Sequence, residues 1–378
     1  MTQRPLARRT AEAGTALGPI GEPVEGVERI AVLRAGNLGD LLFAMPALDA
    51  LRQCYPDARI TLLGMPAHAA LLRDRPGPVD EVVVLPVSEG VRLSPGTEPD
   101  PNEVAEFAAR MRERRFDLGV QVHGGGRYSN PFLTRLGARV TAGLRTPDAD
   151  PLDRTVPYRY YQHEVLRALE VVGLVGARPA TLEPVLTATD DDVARAAELL
   201  GNGPPVLAIH PSATDPRRRW PADRFGAIAA RATGRGVRVV VLGAEGEEEL
   251  ADAVVQAAIA DGAPEGGVRS LAGLGDLGQL VGILDQAVAL VGNDSGPRHL
   301  AQAVGCPTVG LYWAGNLINA GPLGRTLHRV HLDWRSTCPV CGIDVTQVGW
   351  TAERCEHDPS FLTSIEVDAV WDDVEDLL

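Results

Sequence analysis

Arg29-Ile-Ala-Val-Leu-Arg-Ala-Gly-Asn-Leu-Gly-Asp-Leu-Leu42 reads as a buried strand, a glycine turn and the start of a helix. Ile30–Leu33 is a short continuous apolar run, the pattern of a strand covered on both faces. Gly36 and Gly39 allow a tight turn, and an amphipathic stretch follows over Leu41–Cys54. The pattern recurs. Further strand-like runs stand at Ala58–Leu63, Val82–Leu85, Leu118–Val122 and Val140–Ala142, then at Val206–His210, Arg238–Leu242, Val288–Val291 and Thr308–Leu311. Helix-length stretches lie between them, among them Pro101–Arg114, Arg224–Thr233 and Glu247–Ala258. Such alternation predicts α/β architecture, with two doubly wound, Rossmann-like parallel sheets facing across a cleft.

At 378 residues the chain exceeds what one core usually supports. The expected division is a disordered extension over 1–28, an N-terminal domain over 29–185 and a C-terminal domain over 186–335. A cysteine-containing tail over 336–378 would end in a helix packed back on the N-terminal domain. A net charge of −14 excludes nucleic acid as the main partner, because a phosphate backbone needs a basic face. Phosphate binding then has to rest on local arginines and oriented backbone N–H groups. Five unevenly spaced cysteines fit a reducing cytoplasm. The sequence offers neither a signal peptide nor a membrane-spanning run, and peripheral contact with the membrane's inner face stays open.

Glycine-rich turns follow strands in both halves: Ala35–Asp40, Gly124–Arg127, Gly243–Gly246 and Gly292–Gly296. In open α/β sheets, ligands sit beyond the carboxyl ends of strands. Asp40 reads either as a helix cap, worth about 1 kcal/mol, or as a general base facing the cleft with Arg34 nearby. His210-Pro-Ser-Ala-Thr-Asp-Pro-Arg-Arg-Arg-Trp-Pro221 is a compact positive loop in an acidic chain, a candidate phosphate clamp. Val291-Gly-Asn-Asp-Ser-Gly-Pro-Arg-His299 opens a helix. Its N-terminus, at Ser295 and Gly296, would receive a diphosphate on unpaired N–H groups.

In this order and spacing, the three elements resemble glycosyltransferase family 9, the ADP-heptose:lipopolysaccharide heptosyltransferases. The resemblance runs from about Arg29 to the C-terminus. It includes Pro46-Ala-Leu, Tyr55-Pro-Asp-Ala-Arg-Ile and the Asp294-Ser-Gly-x-x-His299 signature. It implies a GT-B enzyme that transfers a heptose or similar sugar, with inversion and without a metal, from an ADP-sugar to an acceptor hydroxyl. Asp40 would be the catalytic base. The resemblance puts Ser212, Arg218, Glu247, Asp294, Ser295, Gly296 and His299 on the donor side. Of these, Arg218 would meet phosphate, Asp294 the heptose hydroxyls and Glu247 the ribose. Arg34, Asn37, His123 and Arg127 fall on the acceptor side. The implied partners are a nucleotide-sugar and a glycan, lipid-linked or small-molecule acceptor; no cofactor is required.

Arg218 stands where the family carries Lys, the loop before it is about one residue longer, and Ala35-Gly-Asn37 replaces a hydroxyl-rich turn. These departures keep the reaction class and loosen the identity of sugar and acceptor. Another NDP-sugar remains an alternative, as does a catalytically silent sugar-nucleotide-binding scaffold. Cys338-x-x-Cys341 and Cys355-x-His357 could form a tetrahedral zinc site. The spacing is tolerable without being diagnostic, and free thiols in a tail loop are the simpler expectation.

Overall fold

The computed structural model describes residues 17–92, 98–346 and 353–378. The first half holds strands β1 (Arg29–Leu33), β2 (Arg59–Gly64), β3 (Glu81–Val84), β4 (Leu118–Gln121), β5 (Val140–Arg145) and β6 (Arg154–Pro157). Its helices are α1 (Leu38–Cys54), α2 (Pro66–Leu72), α3 (Pro101–Glu113), α4 (Ser129–Thr134) and α5 (Glu164–Gly173). The second half opens on α6 (Asp190–Leu200) and holds β7 (Val206–His210), β8 (Arg238–Val241), β9 (Val268–Ser270), β10 (Ala289–Asn293), β11 (Thr308–Trp313) and β12 (His328–Asp333). With them run α7 (Ala222–Gly234), α8 (Glu248–Ala260), α9 (Leu277–Gln286), α10 (Gly296–Ala303), α11 (Ala314–Ala320) and α12 (Val367–Leu377).

Each half is a six-stranded sheet, ordered β3-β2-β1-β4-β5-β6 and β12-β11-β10-β7-β8-β9, and every pairing is parallel. Chain order reverses between β1 and β4 in the first sheet and between β7 and β10 in the second. These are the switch points where crevices open. The turns after β1, β4, β7, β8 and β10 carry the candidate transfer-site residues singled out from sequence.

The three strands not expected from sequence are β6, β9 and β12, all sheet edges. Arg154-Thr-Val-Pro157 and His328-Arg-Val-His-Leu-Asp333 mix polar with apolar residues, and β9 is three residues long, so none shows a continuous apolar run.

Helix α1 starts at Leu38, three residues earlier than expected, so Asp40 lies inside its first turn. The expected disordered extension is corrected from residue 17 onward. Val24 is buried and donates its N–H to Tyr55 Oη (2.9 Å), and Gly21 N–H reaches the Gly173 carbonyl (2.8 Å). The remainder of that extension lies outside the described residues. The C-terminal helix also departs from expectation. Val370 and Val374 of α12 join the core of the second half with Trp220 and Phe225, and α12 packs on α7. Its acidic face pairs with Arg231, Arg329 and His331 of the same half, which fixes it there rather than on the N-terminal domain.

The halves meet through α1 against α10 and through a buried ion pair, Arg75 Nη1 to Asp192 Oδ2 at 2.8 Å. A Cβ on Gly39 would stand 3.0 Å from His299 Cδ2, and one on Gly296 would stand 3.4 Å from Leu38 Cβ. Glycine at these two positions lets the two turns approach face to face.

Candidate active site

The floor of the cleft is a chain of polar side-chain contacts across three strand ends. Ser295, which precedes α10, pairs through Oγ with Nδ1 of His210, the last residue of β7 (3.0 Å). His210 Nε2 stands 3.8 Å from Glu247 Oε2. Glu247, just before α8, also accepts from Ser212 Oγ and from Ala244 N–H (2.8 Å). The His210 ring, with the Ser212 and Ala244 donors, holds Glu247 far below the usual carboxylate range, at about 2. These residues line a cavity of about 1230 Å³ with Gly296 and, from the first half, Asn37 and Leu38. Gly296 opens α10, where N–H groups and the helix dipole favour an anion, although Pro297 supplies no donor.

Behind this wall lies a buried charge network. Asp294 Oδ1 takes His299 Nε2 at 3.0 Å, and its Oδ2 takes Arg218 Nη1 at 3.1 Å and Asn316 Nδ2 at 2.6 Å. Arg298, fully buried over the Tyr312 ring, donates to His299 Nδ1. Burial, then Arg298, pushes His299 down to about 4, so it is neutral near pH 7. Arg298 can only donate, so the ring proton sits on Nε2 and points at Asp294. Burial alone would raise Asp294, yet the His299 hydrogen bond and the Arg218 and Arg298 charges bring it to about 2.

Across the cleft, Asp40 is held on both oxygens. Arg34 Nη2 donates to Oδ1 at 2.7 Å and Asn37 N–H donates to Oδ2 at 2.7 Å. Arg34 also donates to the carbonyls of Asp40 (2.8 Å) and Val122 (2.6 Å) and pairs with Glu164 at 3.3 Å. The Arg34 side chain is 6% exposed and that of Asp40 38%, so the arginine is scaffold and the carboxylate faces out. Next to Val122, His123 lines a second cavity of about 470 Å³ with Gly124–Arg127, Tyr158 and Tyr160. Burial and the Arg34 charge lower His123 to about 4. Asp40 itself lines neither cavity: it is bonded to Asn37, which lines the first, and to Arg34, which holds the carbonyl of Val122 next to His123 of the second.

The model of glycosyltransferase family 9 (heptosyltransferase) matches residues 104–339. The chain belongs to this family. It is 24% identical to the lipopolysaccharide heptosyltransferase 2 of Salmonella typhimurium over 318 residues, covering 80% of this chain and 88% of that one. It is 26% identical to the lipopolysaccharide heptosyltransferase 1 of Pseudomonas aeruginosa, covering 83% and 86%. Among solved structures it is similar to a glycosyltransferase family 9 protein from Veillonella parvula (TM-score 0.75, 20% identity, covering 94% and 98%). The E. coli ADP-heptose lipopolysaccharide heptosyltransferase II gives a TM-score of 0.69 at 19% identity, covering 93% and 98%. The fold is therefore GT-B, and the protein is a heptosyltransferase-family glycosyltransferase.

Within this heptosyltransferase frame, the expected donor-side residues converge, with two shifts of role. The triple-arginine clamp reduces to Arg218. Arg217 turns away to Asp215 (2.6 Å) and the Phe361 ring, while Arg219 Nε donates to the Ala213 carbonyl (2.9 Å). Asp294, expected at sugar hydroxyls, is buried with both oxygens engaged by protein donors, Arg218 among them. Arg34 is likewise too buried to meet an acceptor directly, whereas Arg127 is exposed and pairs loosely with Asp148 (3.7 Å).

His210, Asn293, Asn316 and Glu164 were absent from the sequence-derived set. Asn293 accepts from Trp220 N–H (3.0 Å) and donates to the Pro211 carbonyl (2.7 Å), clamping the β7 and β10 loops together. His210 had a usable signal, a histidine closing a buried strand. Asn316 and Glu164 lie far along the chain from their partners and had none. The cysteines form no disulfide and are free thiols, as expected of the tail, and Cys338, Cys341, Cys355 and His357 converge. Among the described residues, no helix is long and apolar enough to cross a membrane.

Proposed function

We propose that this enzyme transfers a heptose from an ADP-sugar to a hydroxyl of a lipopolysaccharide-type acceptor by a single inverting displacement. The observation that carries this reading is that one cavity is lined from both halves, by Asn37 and Leu38 on one side and His210, Ser212, Glu247, Ser295 and Gly296 on the other. The Salmonella and Pseudomonas relatives are named for lipopolysaccharide, and solved structures of similar fold hold ADP or an ADP-heptose analogue.

The diphosphate would rest on the N–H groups at the start of α10, with Arg218 supplying the cation that answers growing negative charge on the leaving group. Glu247, ionised and anchored, would accept from ribose hydroxyls. Glu247 and Asp294, the carboxylates beside the α10 N-terminus and Arg218, are already engaged by protein donors, which supports phosphate stabilisation by amides and arginine. Asp40 would take the acceptor proton as that oxygen attacks the anomeric carbon, and inversion follows from one displacement. The acceptor would enter past His123, where neutral imidazole, glycine backbone and Tyr158 and Tyr160 offer the stacking and hydrogen-bonding surface a sugar needs.

Direct transfer from ADP-heptose, assayed with thermal shifts against ADP, UDP and GDP sugars, tests the proposal. Stabilisation by ADP and ADP-heptose with heptosylated product is expected. Stabilisation by a UDP-sugar without any by ADP would overturn the donor assignment.

A further inference from the structure

Residues Ser336–Val345 form a closed hairpin around Cys338-Pro-Val-Cys-Gly342. Val345 N–H bonds the Ser336 carbonyl (2.9 Å), Thr337 and Asp344 form an antiparallel bridge, and Cys338 N–H bonds the Ile343 carbonyl (2.9 Å). Gly342, at φ +74°, turns the chain so that its N–H returns to the Cys338 carbonyl (2.9 Å). Both thiols of the hairpin are thereby set on one side. Cys355 and His357 meet them from the following segment, and one ligand atom from each of the four residues lies within 4.8 Å of the others. A tetrahedral ion with metal–sulfur bonds of about 2.3 Å needs sulfurs about 3.8 Å apart, so a small inward closure completes the shell. His357 Nδ1 is buried and, among the described residues, lacks a hydrogen-bond partner, an uncommon state for an imidazole nitrogen unless a metal takes its lone pair.

We propose that Cys338, Cys341, Cys355 and His357 bind one four-coordinate, thiolate-preferring divalent ion, zinc or ferrous iron, and that this knot braces the donor loop. Four protein ligands leave no open position, as in structural sites. None of the four lines either cavity, and the closed shell leaves the ion no position for a substrate atom, so its role is structural. Its reach is mechanical. Next to Cys355, Arg354 pairs with Asp215 (3.4 Å), whose carboxylate caps the turn Pro216–Arg218. Beyond His357, Ser360 Oγ bonds the Arg219 carbonyl (2.5 Å), Phe361 N–H bonds the Arg217 carbonyl (2.7 Å), and the Arg217 guanidinium sits 5.2 Å over the Phe361 ring. The strap from Arg354 to Phe361 thus brackets the loop that presents Arg218, and the metal anchors the strap's start. The consequence for donor binding rests on the function proposed above; metal binding itself does not.

The test is elemental analysis of the full chain, purified from medium supplemented with zinc and iron, with titration of its thiols. About one ion per chain is expected, and the measurement states which metal it is. Cys355→Ser and His357→Ala should lose the ion and weaken ADP binding on the order of tenfold, the usual scale for lost support of a site. His357→Cys, which restores four ligands, should keep the metal, as should Cys306→Ser elsewhere in the fold. Arg354→Ala should keep the metal and still weaken ADP binding. Wild-type chain free of both metals with all five thiols titratable, or metal that persists in Cys355→Ser, overturns the site. Metal lost with ADP affinity unchanged overturns the bracing role.

Discussion

Arg218 Nη1 and Asp294 Oδ2 stand 3.1 Å apart, which ties the loop after β7 to the turn after β10 as one unit. Arg218 is the only member of the arginine triplet oriented to this network, and Asp294 is oriented in turn by neutral His299. Arg218, the cation proposed above to answer charge on the leaving group, is therefore aimed by a buried carboxylate, and its position depends on the Asp294–His299 pair behind it.

Arg218→Ala should lower kcat/KM by ~10²–10³-fold, the scale of losing one charge stabiliser at a developing anion. Arg218→Lys keeps charge without the planar fork and should recover part of that loss. Asp294→Asn should raise KM for the donor and lower kcat less than Arg218→Ala does. Steady-state kinetics on the three variants tests this, and full activity in Arg218→Ala would remove the arginine from the mechanism.

Stability should fall on mild acidification. His299, His123 and His328 are lowered by burial to about 4, against about 6.5 in an unfolded chain. Between those values the unfolded chain binds more protons, so their contribution is complete above pH ~6.5 and lost towards pH ~4, with a slope of up to about 1.4 kcal/mol per pH unit for each histidine. Glu247 and Asp294, at about 2, lose their contribution only in a lower window, as pH falls from their ordinary values through 2. Urea unfolding from pH 7.5 to 4.5 should show the first slope, and His299→Gln should flatten it. A wild-type midpoint independent of pH over that range would contradict neutral, buried histidines.

Gly39→Ala should damage the junction between the halves. The added Cβ would meet His299 Cδ2 at 3.0 Å in a ring already packed on Phe43 (centroids 4.6 Å). Overpacking of this kind costs about 1–3 kcal/mol. Thermal unfolding should register that loss together with weaker ADP binding. An unchanged melting temperature would mean that the two turns are not held in contact.

The fold was legible because buried parallel strands announce themselves as unbroken apolar runs, such as Ile30–Leu33 and Val206–Ile209. Edge strands such as His328–Asp333 carry charge on one face and escape that signal. The candidate site was legible where chemistry and turn coincide in one short segment, as in Arg34–Asp40 and Asn293–His299. Roles were less so. Nothing local to Asp294 says that Arg218, 76 positions away, and Asn316 occupy its oxygens. The destination of α12 was misread because an acidic amphipathic helix fits any basic, apolar surface, and Arg231, Arg235 and Arg329 supply one in the second half.

Asp40→Asn is the most direct test of the proposed chemistry, because it keeps the side chain's size and leaves an oxygen for Asn37 N–H while removing the base. Turnover with ADP-heptose and acceptor should fall by ~10²–10⁴-fold, with the dissociation constant for ADP unchanged. Turnover near the wild-type rate would contradict Asp40 as the group that takes the acceptor's proton.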